Sequence, residues 1–235
     1  MPYWIEDKEY PKDEKGKKLY LLAQINFDQL QSSFPLPSKG LLQFFISDND
    51  LMGVNYDDEI TQKNFRVIYN ENIDYAISEE VVKKLDIKSS EEAEFHPVIG
   101  EHKLSLIKGK DYVTLNDYKF EKIFKQAYKE VYGEEIKKEE NYCDILNKDD
   151  VEKLENGLQM HTHKMLGYAF FTQEDPRYIK KYENYDTLLL QLDSESDGNG
   201  DLILWGDVGV GNFFITKKAL EEKDFSNVMY NWDCC

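Results

Sequence analysis

The residues that could do chemistry in this sequence are few, and most lie between His161 and Asp233. His161-Thr162-His163 would set two imidazoles on one face of an extended strand, as a pair of metal ligands is often set. With Asp175 or Asp207 brought close by the fold, His163 and an aspartate would also make the general acid–base pair of a hydrolase-like enzyme. Spacing identifies no third metal ligand, so hydrogen-bonded histidines are the simpler reading. Asp193, Glu195, Asp197 and Asp201 supply oxygens at positions 1, 3, 5 and 9 of a calcium-loop pattern, with Gly198 at position 6. Position 12 is Leu204 rather than the bidentate glutamate, and calcium needs about six to eight oxygens. A solvated hairpin loop, with Asp, Asn and Gly supplying turn geometry, therefore fits the stretch better, and no metal is assigned.

Gln173, Arg177, Asn212 and Asp233 are the other polar residues in the same region, and the first three are candidate binding residues. Asp175-Pro176 and Gly206-Asp207 are also turn formers, so a structural role serves these residues equally. Arg177 reads as a clamp on Asp175 or Asp207, with Asp207 the preferred partner, because a guanidinium fork holds carboxylates in a way lysine does not. Cys234 and Cys235 end the chain, where fraying makes a placed nucleophile improbable. There is no His-Glu-x-x-His, no Cys-x-x-Cys and no phosphate-cradling loop. Gly209-Val210-Gly211 leads into a strand rather than a helix, so no cofactor is implied.

The elements that must position these residues are read from apolar periodicity. Leu188–Leu192 is an apolar run expected to be a buried strand, with Leu202–Trp205 as its partner and Phe213–Ile215 as a third strand of a meander. Further strands are expected at Leu19–Phe27, Leu41–Ile46 and Phe65–Tyr69, a hairpin around Leu104–Ile107, and renewed strand from about Leu166. Ser78 starts a short helix with acidic residues first and Lys83-Lys84 late. Over Asp117–Tyr132, Phe120, Ile123, Phe124, Ala127, Tyr128 and Val131 form one helical stripe, and Gly133 stops it. Asn147 or Asp149 caps another helix running to about Leu158.

The segments Leu21–Leu30, His163–Arg177, LLLQLDSE, WGDVGVGNFFI and the closing YNWDCC resemble the bacterial YwqG-like proteins, a domain of unknown function. The resemblance runs from Pro2 to Cys235. It implies a β-rich, internally duplicated fold and no particular activity. Family members usually begin earlier, with a helical lead-in to Gly-Gly-x-Pro-Tyr-Trp, whereas this chain opens at Met1-Pro2-Tyr3-Trp4. Leu166 also replaces the first glycine of the family's His-x-x-Gly-Gly-Tyr, which puts a tight turn there in question.

The two ends of the chain align with each other. Tyr3 matches Tyr168, Gln24 matches Gln191, and Phe44-Phe45 match Phe213-Phe214, at offsets of 165, 167 and 169. The expected fold is one β-rich α+β domain over residues 1–235. It has internally duplicated β units at about 1–50 and 160–235, and helices from a central insert at about 51–159. Gln24 and Gln191 are expected to be buried and to tie down nearby backbone.

The chain's 235 residues are 41% hydrophobic, too apolar for disorder, and its 16 Tyr and 13 Phe suit sheets. A net charge of −17 argues against nucleic acid and anionic membrane as partners and would steer a basic protein toward the chain. No apolar stretch approaches the ~18 residues a bilayer span needs. The N-terminus has no leader-like apolar region, and three cysteines give no disulfide framework, so a cytoplasmic location is expected. The functional expectation is a binding or interaction module without a catalytic constellation. The alternatives are an acidic, immunity-like protein that neutralises a basic partner, and a hydrolase-like enzyme using His163 with Asp175 or Asp207.

Overall fold

The computed structural model describes residues 3–5, 8–30, 35–158 and 162–234. Met1, Pro2, His161 and Cys235 lie outside the described residues. Helix and strand each take 21% of the chain, so the architecture is mixed sheet and helix.

Two three-stranded antiparallel sheets form the centre. The first runs β1 (Tyr20–Asn26), β2 (Leu41–Ile46), β3 (Phe65–Asn70), in that spatial order. The second runs β4 (Thr187–Asp193), β7 (Val210–Ile215), β8 (Val228–Asp233). Between β4 and β7 the chain makes a small separate hairpin, β5 (Glu195–Ser196) with β6 (Asp201–Ile203). The expected meander is therefore corrected. The partner of β4 is β7, and the Leu202–Trp205 stretch contributes only the short β6. Every residue of β7 and β8 is buried, so period-2 alternation is missing from them, and the sequence reading passed over β8.

The inner faces of the sheets pack on each other through aromatic rings. Phe44 meets Phe213 at 5.0 Å between ring centroids and Phe65 meets Tyr230 at 5.2 Å, while within the second sheet Phe213 stacks on its cross-strand neighbour Tyr230 at 4.4 Å. The outer faces are buried as well. Trp4, Tyr10 and Val82 cover Phe45 in the first sheet, while Ala169, Phe171, Tyr182 and Tyr185 cover Phe214 and Met229 in the second. Gly211 is a close-approach position. A Cβ there would stand 2.3 Å from Cζ2 of Trp205, so the indole packs directly on the β7 backbone.

The sheets share local detail. A register irregularity falls between Leu21 and Ala23 in β1 and between Leu188 and Leu190 in β4. In the first sheet the Tyr3 N–H donates to Gln24 Oε1 at 3.1 Å, and Gln43 Nε2 donates to the Tyr3 carbonyl at 2.9 Å. In the second, the Phe170 N–H donates to Gln191 Oε1 and Asn212 Nδ2 donates to the Phe170 carbonyl, both at 2.8 Å. Each pair of side-chain amides thus grips the N–H and the carbonyl of one residue crossing the sheet face-on. The residue that stands where Tyr3 stands is Phe170, not Tyr168.

Helices come from the intervening chain: α1 (Glu79–Lys84), α2 (Phe120–Tyr132), α3 (Tyr142–Ile145) and α4 (Lys148–Gly157), with α5 (Lys217–Glu221) leading toward β8. Gly133 ends α2 in the left-handed conformation at φ 73°, and the Asn147 side chain caps α4. Only Phe120 of the α2 stripe is buried. Phe120 and Phe124 pack against Tyr142 of α3, and Val131 and Tyr132 are left exposed. The expected hairpin at Leu104–Ile107 does not form; residues 101–110 are exposed and carry no regular structure. No strand begins at Leu166 either. Residues 168–173 form no strand and are bound by side chains rather than by a sheet ladder.

Phe44 and Phe213 meet at the centre, so Phe44→Ala and Phe213→Ala should each cost about 3–5 kcal/mol in chemical denaturation. Because the rings touch, the double variant should lose less than the sum of the two. A midpoint barely moved by either change would remove this contact from the heart of the fold.

Candidate functional site

The polar residues singled out from sequence concentrate where residues 168–177 cross the outer face of the second sheet. A strap over residues 111–118 lies on top and repeats the side-chain grip from the other side. Asp111 accepts from the Tyr168 N–H at 2.9 Å, the Thr114 hydroxyl donates to the Ala169 carbonyl, Asn116 Nδ2 donates to the Phe171 carbonyl at 2.8 Å, and Asp117 accepts from the Ala169 N–H at 3.2 Å. From below, Asp233 of β8 accepts the N–H groups of Thr172 and Gln173 at 3.2 and 2.8 Å. Asp111 also explains Gly167, where a Cβ would stand 2.1 Å from Asp111 Oδ2. Leu166 precedes it at φ 64°, a left-handed conformation that glycine adopts freely and leucine does not. The turn therefore forms despite the substitution.

Arg177 is the centre of the arrangement and is 2% exposed. Its Nε and Nη2 reach Asp175 at 2.9 and 2.7 Å, and Nη2 also reaches Asp117 Oδ2 at 2.9 Å. Asp175 further accepts the N–H groups of Tyr118 and Arg177, each at 2.9 Å. The guanidinium lies 4.1 Å from the ring centroid of Phe214 and 4.5 Å from that of Tyr118. Burial works against its charge, but the two aspartates outweigh this and raise its pKa above the ordinary value. The expected partner, Asp207, is corrected: it is exposed on the turn after β6, and Asp117 at the entry to α2 takes its place. Sequence reasoning missed Asp117 because it entered only as a helix boundary.

The other candidates are held elsewhere. His163 Nδ1 accepts the Asp193 N–H at 3.0 Å, and Nε2 donates to Glu195 at 2.6 Å, so both ring nitrogens are engaged. Its carboxylate partner is thus Glu195, while the Asp175 carboxylate is occupied by Arg177. Asn212 is buried in its grip on Phe170, and Gln173 Nε2 donates to the Cys234 carbonyl. In the loop once compared with a calcium site, Asp193 belongs to β4, Glu195 holds His163, Asp197 accepts the Asn199 N–H at 2.8 Å, and Asp201 opens β6. Among the described residues, no group of three or more His, Cys, Asp and Glu side chains is placed to hold a metal ion.

The structure adds one ionisable residue that the sequence did not single out. Glu59 is 4% exposed; its Oε1 accepts from Asn231 Nδ2 at 2.9 Å, and its Oε2 is buried without a partner. Asn231 Oδ1 is buried without a partner too. Burial first, then the nearby Asp175 charge, push the Glu59 carboxyl from 4.5 up to about 7, against the hydrogen bond from Asn231 and the charge of Lys181. Asp233 is raised as well, chiefly by burial. No spacing pattern marks Glu59; only burial and the facing asparagine reveal it.

The fold and the site together define a mixed sheet-and-helix protein whose polar interior side chains grip backbone. The family described as "Domain of unknown function (DUF1963)" matches residues 1–234, and the chain belongs to it. No curated protein matches the chain.

Breaking a buried ion network leaves an uncompensated charge, so Arg177→Lys and Asp117→Asn should each cost about 3–5 kcal/mol. Asp207→Asn and Lys122→Ala, both exposed, should stay within about 0.5 kcal/mol. Equal effects of Asp117→Asn and Asp207→Asn in urea melts would contradict the observed pairing.

Glu59 makes a second prediction, in pH. Its folded pKa lies above its unfolded one, so the native state binds the extra proton between about 4.5 and 7. Stability is favoured below that window and falls as pH rises through it. Glu59→Gln, which presents an N–H where the unpaired oxygen stands, should gain on wild type by about 2–3 kcal/mol between pH 5 and pH 8. Parallel stability profiles for the two proteins would show that Glu59 does not titrate in this way.

Proposed function

We propose that this protein is a binding module that recognises a basic protein partner, in the manner of an acidic neutralising or immunity-like protein, through the helical insert around α2–α4. One observation carries the reading. Val131 and Tyr132 stand 72% and 63% exposed at the end of α2, and the following residues, Glu134 to Gly157, hold nine carboxylates against four lysines. Exposed aromatic surface edged by one sign of charge suits a partner of the opposite sign, with charge speeding encounter and the apolar residues supplying contact. Engagement of both His163 nitrogens and of the Asp175 carboxylate weighs against the hydrolase reading.

In the same reading the chain is a single YwqG-like domain of bacterial, cytoplasmic type, built from duplicated β units. Support for duplication comes from the matching irregularities in β1 and β4 and from the amide grips on Tyr3 and Phe170; the irregularities, the gripped residues and the glutamines Gln24 and Gln191 share an offset of 167 residues. An exposed free thiol at Cys143 suits a reducing compartment. Among the described residues no helix is long and apolar enough to cross a membrane.

The test uses a library of Lys/Arg-rich peptides with a matched acidic library. The chain should bind the basic set, and affinity should fall more than about tenfold between roughly 50 and 300 mM salt. Combining Tyr132→Ala with Glu134→Lys and Glu139→Lys, all exposed, should abolish binding without lowering the melting temperature. Binding unchanged in this variant would reject the insert as the surface. Ester or amide hydrolysis lost with His163→Ala would put the enzyme in its place.

A further inference from the structure

The chain has only two arginines, and their environments are opposite. Arg177 is neutralised by two aspartates. Arg66, in β3, is half-buried; its Nε is shielded from solvent without a hydrogen-bond partner, and no described carboxylate pairs with it. This is unexpected in a chain with 46 acidic residues against 29 basic ones. A shielded guanidinium N–H left unpaired is unfavourable, because it has given up water without gaining an acceptor.

Arg66 lines a cleft of about 330 Å³ between β3 and the turn that follows α5. The other polar groups of the wall already have protein partners. Gln62 donates to the Phe225 carbonyl at 3.0 Å and accepts the Val67 N–H at 2.9 Å, Tyr69 donates to the Lys39 carbonyl at 2.8 Å, and Ser226 donates to Asp224 at 2.6 Å. Lys223 is paired with Glu71 at 2.6 Å. These contacts fix the wall and leave the Arg66 fork as its unspent donor. Tyr69 and Phe225, with ring centroids 5.2 Å apart, give the wall an aromatic side.

We propose that the cleft beside Arg66 binds a small organic anion, whose carboxylate or phosphate is held by the guanidinium while a flat apolar body lies against Tyr69 and Phe225. A planar fork of N–H donors matches either anion through two parallel hydrogen bonds. The volume is at the small end of ligand pockets, enough for a single-ring acid rather than a dinucleotide. Selectivity follows from the charge balance. The protein's own field repels anions, so only one that gains both the fork and the aromatic wall is retained. The cleft lies outside the helical insert, and its occupancy does not depend on the role proposed there.

Two arginines mean two side-chain Nε–H signals in a proton–nitrogen correlation spectrum, one reporting the cleft and the other the buried network. Titration of the whole chain with benzoate and with phenyl phosphate should move the Arg66 signal along a saturating curve and leave the Arg177 signal in place. The ligand that saturates first identifies carboxylate or phosphate ester as the natural chemistry. Arg66→Gln should weaken binding roughly tenfold to hundredfold, read from the backbone amides of Val67 and Ser226, with the unmoved Arg177 signal showing an intact fold. An Arg66 signal unmoved by both ligands would overturn the proposal. So would a non-saturating drift shared with Arg177 and reproduced by sodium chloride at equal ionic strength.

Discussion

A chain segment that crosses a β-sheet face-on cannot use the sheet's own ladder, yet its peptide groups are buried and must be paired. The rest of this structure depends on how that constraint is met. In each sheet, side-chain amides from two neighbouring strands reach outward and take the N–H and the carbonyl of one crossing residue, Tyr3 in one case and Phe170 in the other. An amide offers one acceptor oxygen and two donor hydrogens, so a glutamine paired with a glutamine or asparagine can complement a peptide unit as a strand would. Once the crossing segment is fixed, the aromatic residue after it is fixed too. Trp4 lies against Phe45 and Phe171 against Phe214, so the polar grip and the outer hydrophobic layer are one device.

The second crossing carries a heavier load than the first. Its segment is gripped from both sides, because the strap over residues 111–118 supplies a further set of hydrogen bonds. The strap has almost no regular structure, so its position is set by these bonds and by Asp117, which bonds both the Ala169 N–H and Arg177. The same aspartate stands at the entry to α2. The ion network therefore joins the second sheet to the helical insert and fixes where α2 leaves the body of the protein. In the first sheet the ring over Phe45 is Tyr10, which needs no carboxylate, and no comparable network is found there among the described residues. The insert and the charge belong to one side of the molecule only.

Much of this was legible in the sequence, and the exceptions have physical causes. Apolar runs located β1, β2, β3, β4 and β7, and the glycine stop located the end of α2. Gln24 and Gln191 were identified as backbone ties from their matching positions alone; Gln191 is buried as expected, whereas Gln24 is only half-buried. Three kinds of feature escaped. Strand β8 is buried on both faces and shows no alternation. The pairing of β4 with β7 skips the nearer β6, because Leu204 bonds the Pro97 carbonyl and the β5–β6 hairpin turns toward residues 97–99. The second carboxylate on Arg177, that of Asp117, lies 60 residues away in the strap, where no periodicity or motif points to it. Long-range polar pairing leaves no local trace, and that is the part of the candidate site that only the structure supplies.

A chain with 17 more negative than positive charges must hold its interior positive charge and shed its interior negative charge where it can. Arg177 meets the first requirement, since its guanidinium is shared between two aspartates and two aromatic faces and so stays charged at 2% exposure. Glu59 meets the second by gaining a proton near neutrality, which removes a carboxylate charge from beside Asp175 and gives a donor where the unpartnered atoms, Glu59 Oε2 and Asn231 Oδ1, are both acceptors. The surplus that remains is on the surface, and on the insert it lies next to exposed aromatic residues. Arg66 departs from this pattern as a half-buried cation with no carboxylate partner among the described residues. In a protein that pairs its other arginine so completely, the missing partner of Arg66 is best sought outside the chain.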